Sequence, residues 1–116
     1  MNERPMKILM VTAEMAPFAR VGGLGDAVCA LSRTLAAAGH DVRVVLPCYG
    51  TIDREAFGLR PVASLEVPMG ALGRFAVTVL QGETPRSQPA AFFIGHDPYF
   101  ARRGIYGHDG DGFTDN

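Results

Sequence analysis

The chain has 116 residues, 47% of them hydrophobic, with a formal net charge of -1 and a sequence pI near 6.3. That is enough apolar matter for one small core, and a near-neutral balance leaves no electrostatic footprint for nucleic acid or an acidic membrane surface. No apolar run approaches the ~20 residues needed to span a bilayer, and the opening residues lack a signal-peptide pattern, so a soluble, cytoplasmic protein is expected. The cations are ten arginines and the single Lys7, and they are scattered along the chain. Cys29 and Cys48 are expected to be reduced thiols, because neither their number nor their spacing suits a disulfide framework or a metal pair.

After a polar leader (residues 1–6, MNERPM), residues 7–13 (KILMVTA) form a short apolar run of the kind buried on both faces of a parallel sheet. A loop then runs from about residue 14 to 24. Beyond it, Leu24, Val28, Leu31, Leu35 and Ala38 recur at spacings of four and three, which predicts one apolar stripe on a helix. Gly39 is the expected stop, and His40 after it is expected to cap the last carbonyls or favour the helix dipole. Residues 41–46 (DVRVVL) read as a second strand closed by Pro47. Strand, helix and strand make a βαβ unit with parallel strands.

Residues 47–50 (PCYG) turn, and residues 51–57 have room for one helical turn. Residues 62–67 (VASLEV) and 74–80 (RFAVTVL) alternate in polarity around a glycine-rich turn, the pattern of a hairpin at one margin of the sheet. A polar loop (81–89) leads to residues 90–94 (AAFFI), apolar throughout, which predicts a buried strand returning to the parallel core. From Gly95 onward no period of two or 3.6 persists. The fold class is therefore α/β, a Rossmann-like, mostly parallel sheet with an added β-hairpin.

The loop between the first strand and the helix is the place for function. Strand-to-helix connections usually take roughly 2–6 residues, and this one is longer. Ligands of open α/β sheets bind beyond the carboxyl ends of the strands, where it lies. Gly22, Gly23 and Gly25 are expected to leave backbone amides uncovered just ahead of a helix N-terminus, a setting that suits an anion. Arg20 adds a permanent cation able to grip phosphate oxygens through two hydrogen bonds. The alternative reading is that the glycines serve only the turn and Arg20 points to solvent.

Other chemistries fit poorly. A dinucleotide fingerprint needs G-x-G-x-x-G tight after the first strand and an acid closing the second. Here the glycines read G-G-x-G after a long loop, and strand two ends Leu46-Pro47-Cys48, so NAD is not expected. A calcium loop started at Asp109 would put Phe113 and Thr114 at positions five and six and end before its glutamate. His40, His96 and His108 have no metal-ligand spacing. Neither a metal nor a cofactor is called for.

Taken together, Glu14, Pro17, Arg20, Gly22, Gly23, Leu24 and Asp26, followed by Leu31, Leu35, Gly39-His40-Asp41-Val42, Leu46-Pro47 and Tyr49-Gly50, resemble the opening of bacterial glycogen synthases and plant starch synthases. The family signature reads S/T-x-E-x-x-P-x-x-K-x-G-G-L-x-D-V. The tail Phe100-Ala101-Arg102-Arg103-Gly104-Ile105-Tyr106-Gly107 and the closing Asp115-Asn116 resemble it too, while residues 52–89 match mainly in their strand pattern.

The resemblance implies a retaining glucosyltransferase that moves glucose from ADP-glucose to the non-reducing end of an α-1,4-glucan. It also implies two Rossmann-like domains of the GT-B type, a cleft between them and no required metal. Residues 1–116 would be part of the N-terminal domain, with the tail 101–116 poorly ordered and the rest of the protein elsewhere. Later catalytic groups of the family (a histidine, then an arginine, a lysine and a glutamate) lie beyond these residues, so the chain alone is expected to be inactive. The resemblance assigns Arg20, Gly22 and Gly23 to the sugar nucleotide. Arg20 stands where the family has lysine, which keeps the charge but changes the geometry.

Asp26 has two readings, a first-turn carboxylate worth about 0.3–1 kcal/mol to its helix or a sugar-hydroxyl contact. Tyr106 and Asn116 are candidate glucan contacts or, equally, a loop anchor and a turn residue. Glu14 is expected to hold the loop by accepting backbone N–H bonds, with Met15, Pro17 and Phe18 packing that loop on the sheet. Three alternatives remain: a GT-B enzyme using another nucleotide sugar, a non-catalytic nucleotide-binding module, and a plain structural or interaction domain.

Overall fold

The computed structural model describes residues 4–82 and 88–96, with the backbone of 107–108 and 111–112. Strand β1 (Lys7–Val11) leads through the loop to helix α1 (Gly23–Ala37) and strand β2 (Asp41–Pro47). Strands β3 (Arg60–Pro68) and β4 (Arg74–Gln81) follow, joined across a short 3-10 turn (Gly70–Leu72), and then β5 (Ala90–Gly95). Two-residue strands β6 (Gly107–His108) and β7 (Asp111–Gly112) pair with each other.

The sheet order is β1-β2-β5-β4-β3. β1 and β5 flank β2 in parallel, β4 is antiparallel to β5, and β3 is antiparallel to β4, so four of the five strands point the same way. The predicted βαβ unit, the β3–β4 hairpin and the return of residues 90–94 to the parallel core are all present. The continuous apolar run of β5 has its cause in this order. It sits between β2 and β4, with Ala91 and Phe93 fully buried.

One face of the sheet carries the core. The registers Ile8↔Val42, Met10↔Val44, Val44↔Ala91, Leu46↔Phe93 and Phe93↔Leu80 line these side chains up together. They pack with Val28, Leu35 and Ala36 of α1 and with Met15, Phe18, Ala19 and Ile52 from the loops.

Two expectations change. Among the described residues β1 is hydrogen-bonded to β2 alone, and Leu9 and Val11, which alternate with the core residues Ile8 and Met10, are 64% and 77% exposed rather than covered. A short apolar run reports that its residues can be buried, not which neighbours cover them. The helix is also rotated from its predicted stripe. Its covered side is Gly25, Val28 and Ser32, with Leu35 and Ala36 half-buried, while Leu24 and Leu31 are largely exposed and Ala38 is outside the core. The two stripes share Val28 and Leu35, so periodicity cannot choose between them. Small residues decided it, because Gly25 and Ser32 allow the closest approach.

The helix stops where expected. Gly39 has φ +98°, its N–H donates to Ala36 O at 3.0 Å, and the His40 N–H donates to Leu35 O at 3.2 Å. The His40 ring, however, caps no carbonyl. Its Nδ1 accepts the Met6 N–H at 3.0 Å and ties the leader to the end of α1. Residues 54–58 form a single turn, in which the Phe57 N–H donates to Asp53 O at 3.3 Å, a bond of the helical type, and Asp53 Oδ1 accepts the Ala56 N–H at 3.1 Å.

Candidate functional site: the loop between the first strand and the helix

The loop leaves the sheet at its carboxyl edge. The Thr12 N–H still donates to Val45 O at 3.0 Å, continuing the ladder for one residue. The Thr12 hydroxyl then donates to Glu14 O at 2.8 Å and accepts the Glu14 N–H at 3.2 Å, a local turn that competes with further strand. From the end of β2, the buried Tyr49 hydroxyl donates to Ala13 O at 2.8 Å.

Residues 15–19 close on themselves. The Met15 N–H donates to Ala19 O and the Ala19 N–H to Met15 O, both at 2.9 Å, around a cis Ala16-Pro17 peptide. Met15 and Ala19 are buried, and the Phe18 ring stands edge-on to Phe57 and Phe93 at 4.8 and 5.0 Å. Met15 and Phe18 therefore pack the loop as expected, whereas Pro17 is exposed. The Ala16 N–H donates to Gly25 O at 3.0 Å. A Cβ on Gly25 would lie 3.1 Å from Ala19 O and 3.4 Å from Ala16 N, so this buried glycine serves the close approach of loop and helix. It is not part of an open anion nest.

Glu14 organises what remains. The residue is 3% exposed, and Oε1 accepts the Val21 N–H at 2.8 Å and the Gly22 N–H at 3.1 Å. The expected role of Glu14 as loop holder is thus observed, and it removes the Gly22 amide from the expected set of uncovered donors. Past that point α1 has no side-chain cap, and the N–H groups of Gly23 and Leu24 meet no acceptor among the described residues. Gly22 and Gly23 are exposed, and a Cβ on either would meet nothing within 4 Å.

Beside these amides lies a pair that sequence reasoning missed. Arg20 Nε is 3.2 Å from Asp26 Oδ1, with the two side chains 63% and 54% exposed. The contact spans the Gly22-Gly23 bend, so its only trace in the sequence was opposite charge six positions apart. Asp26 does sit in the first turn of α1, as one of its two readings required. Tyr106 and Asn116 lie outside the described residues, as does most of the tail 101–116. His96 stacks on Phe75 at 4.8 Å.

Among the described residues no three His, Cys, Asp or Glu side chains gather as metal ligands, and neither Cys29 nor Cys48 is in a disulfide. No described helix is long and apolar enough to cross a membrane. The arrangement is chemically suited to an anion. A guanidinium and two helix-end amides face solvent beyond the carboxyl end of a parallel strand, above a buried carboxylate that holds the backbone in place.

Comparison with known proteins identifies the family. The starch synthase catalytic domain family matches residues 7–116. Glycogen synthase 1 of Geobacter metallireducens is 44% identical over 114 residues, covering 97% of this chain and 23% of the relative. Glycogen synthase of Treponema denticola is 48% identical over 102 residues, covering 88% and 20%. The catalytic domain of starch synthase IV from Arabidopsis thaliana, bound to ADP and acarbose, superposes with a TM-score of 0.77 at 29% identity, covering 91% of this chain and 22% of that one. The chain thus spans about a fifth of the length of the relatives it matches. With its family match running from the first strand through the Arg20–Gly23 bend to the last residue, the chain belongs to the glycogen and starch synthase family of glycosyltransferases.

Proposed function

We propose that this segment supplies the N-terminal share of the donor site in a cytoplasmic enzyme that transfers glucose from ADP-glucose to the non-reducing end of an α-1,4-glucan with retention. One observation carries the reading. The Arg20–Gly23 bend keeps a cation and the Gly23 and Leu24 amides open to solvent at the positive end of α1. That arrangement suits a diphosphate, and the starch synthase IV structure, which has ADP bound, supports the assignment.

In this reading the guanidinium and the amides hold the phosphates. Negative charge grows on the departing ADP as the glycosidic bond breaks, so fixed donors there lower the barrier. Gly22 contributes space for the ligand rather than a donor, since Glu14 occupies its N–H. Tyr106 and Asn116 are proposed on the acceptor side, where a ring face and an amide suit a glucan.

The test is Arg20→Ala in the intact enzyme. Losing a charge-assisted contact of about 1.5–3 kcal/mol lowers kcat/KM for ADP-glucose by roughly 10- to 100-fold. An unchanged kcat/KM overturns the reading. A parent enzyme that prefers UDP-glucose in direct competition replaces the donor, and one that binds nucleotide without transferring glucose reduces the segment to a binding module.

A further inference from the structure

We propose that Tyr49 is a positioning residue for the donor loop, its hydroxyl holding the Ala13 carbonyl so that Glu14, the next residue, stands where it can grip the bend. The inference rests on the donor-site reading above and adds a residue from another part of the chain. It follows a run of hydrogen bonds that starts at the end of β2 and finishes at the amides before α1.

The run begins on a fixed base. The Cys48 N–H donates to Ile94 O at 2.8 Å, which carries the pairing of β2 with β5 one residue past β2. Tyr49 comes next. It is 5% exposed, lies in the core with Cys48 and Ile52, and its carbonyl accepts the Ile52 N–H at 3.0 Å. A packed tyrosine has only two side-chain torsions to settle, so the core carries its hydroxyl to a nearly fixed point.

That point is the corner where the loop leaves the sheet. Thr12 still donates to Val45 O at 3.0 Å, and Ala13 is the next residue. The Tyr49 hydroxyl donates to Ala13 O at 2.8 Å across 36 positions of sequence, well inside the preferred range for such bonds. On the other side of the same peptide, the Glu14 N–H donates to Thr12 Oγ1 at 3.2 Å. The plane between Ala13 and Glu14 is therefore held at both its oxygen and its nitrogen. Thr12 belongs to the segment it holds, whereas Tyr49 ties that segment to the end of a second strand. From this plane the Glu14 side chain reaches the Val21 and Gly22 N–H groups, and the Gly23 and Leu24 amides proposed for the phosphates come directly after them.

A phenylalanine ring would fill the same core space, and a buried hydroxyl is costly unless it is bonded. The net contribution of one such bond to folding is modest, but its aim at a single carbonyl is specific. What the hydroxyl adds to packing is the orientation of the Ala13–Glu14 peptide, and with it the reach of the carboxylate. Donors supported in this way lose less freedom when a ligand arrives.

The experiment is a double-substitution cycle in the intact enzyme, Tyr49→Phe, Glu14→Ala and both together, with Arg20→Ala alongside. Each variant is read by ADP titration calorimetry, by KM for ADP-glucose and for glucan, and by urea unfolding. Tyr49→Phe keeps the ring and is expected to weaken ADP binding about threefold to tenfold, raise KM for ADP-glucose to match and leave KM for glucan at the parent value. With Glu14→Ala already present the grip is gone, and the same change should alter ADP affinity by less than twofold. Unchanged ADP affinity in Tyr49→Phe overturns the proposal, and a lower urea midpoint beside it means that the bond serves the fold alone. Equal weakening with and without Glu14 also overturns it, since Tyr49 then acts by another route. A parallel rise in both KM values overturns it as a general loosening of the protein. If Arg20→Ala leaves ADP binding unchanged, the donor-site reading falls too. If Arg20→Ala weakens binding and Tyr49→Phe does not, only the role of Tyr49 is lost.

Discussion

At the scale of single residues, the loop is governed by a buried carboxylate. Burying a charge is costly unless it is paired or hydrogen-bonded, and Glu14 meets that demand by accepting two backbone N–H groups from the bend. The acid was legible in the sequence as a holder because it lies in a loop otherwise packed by Met15 and Phe18. Its acceptor atoms were not, since Val21 and Gly22 lie seven and eight residues away and only the turn at 15–19 returns the chain to them. Glu14→Ala is expected to cost about 1.5–3 kcal/mol in urea unfolding of the intact protein, from the loss of charge-assisted bonds, and to weaken ADP binding in parallel. Glu14→Gln, which keeps an acceptor oxygen, should recover part of both. Full ADP affinity in Glu14→Ala would show that the bend keeps its shape without the carboxylate.

At the scale of elements, α1 joins the two parallel strands and carries the site on its first turn. Its far end is set by glycine conformation. Gly39 at φ +98° allows the final N–H groups to return to Ala36 and Leu35, and the chain then enters β2 through Asp41, whose N–H donates to Met6 O at 2.9 Å. A side chain at that φ is strained, so Gly39→Ala should destabilise the protein by about 1–2 kcal/mol. Thermal unfolding should register this as a lower Tm while kcat stays near the parent value, because the change lies at the end of the helix away from Arg20. A Tm equal to that of the parent would mean that the turn refits without the left-handed residue. Helix existence and both ends were readable from spacing and from Gly39. Its rotation about its own axis was not, because Leu24 and Leu31 satisfy the same spacing as Gly25 and Ser32.

At the scale of the whole molecule, the described residues cover one face of the sheet. α1 and the loops cover the face that carries Val44, Leu46 and Phe93, while Leu9 and Val11 of β1 remain exposed. The proposed transfer also needs groups on both sides of a donor cleft, and the role proposed for the described residues is confined to the phosphates. Purified as a 116-residue chain, this segment is expected to show no glucosyl transfer from ADP-glucose to glucan in a radiolabel incorporation assay, under conditions where the intact enzyme is active. Measurable transfer by the short chain would place the chemistry within these residues and refute the division proposed here.

The amino-acid order by itself determined the α/β class, the βαβ unit, the hairpin, the buried β5 and the loop to which Arg20, Gly22 and Gly23 belong. Those features follow from local causes: residue periodicity, glycine at a helix end and chain length between elements. Only the tertiary structure decided that Leu9 and Val11 of β1 are exposed, that α1 turns Gly25 and Ser32 inward, that Glu14 takes the Gly22 amide and that Asp26 meets Arg20. Each of these depends on contacts between segments that periodicity treats as independent. A buried acceptor selects its donors by where the folded backbone brings them, and two charges pair only once a bend has closed the distance between them.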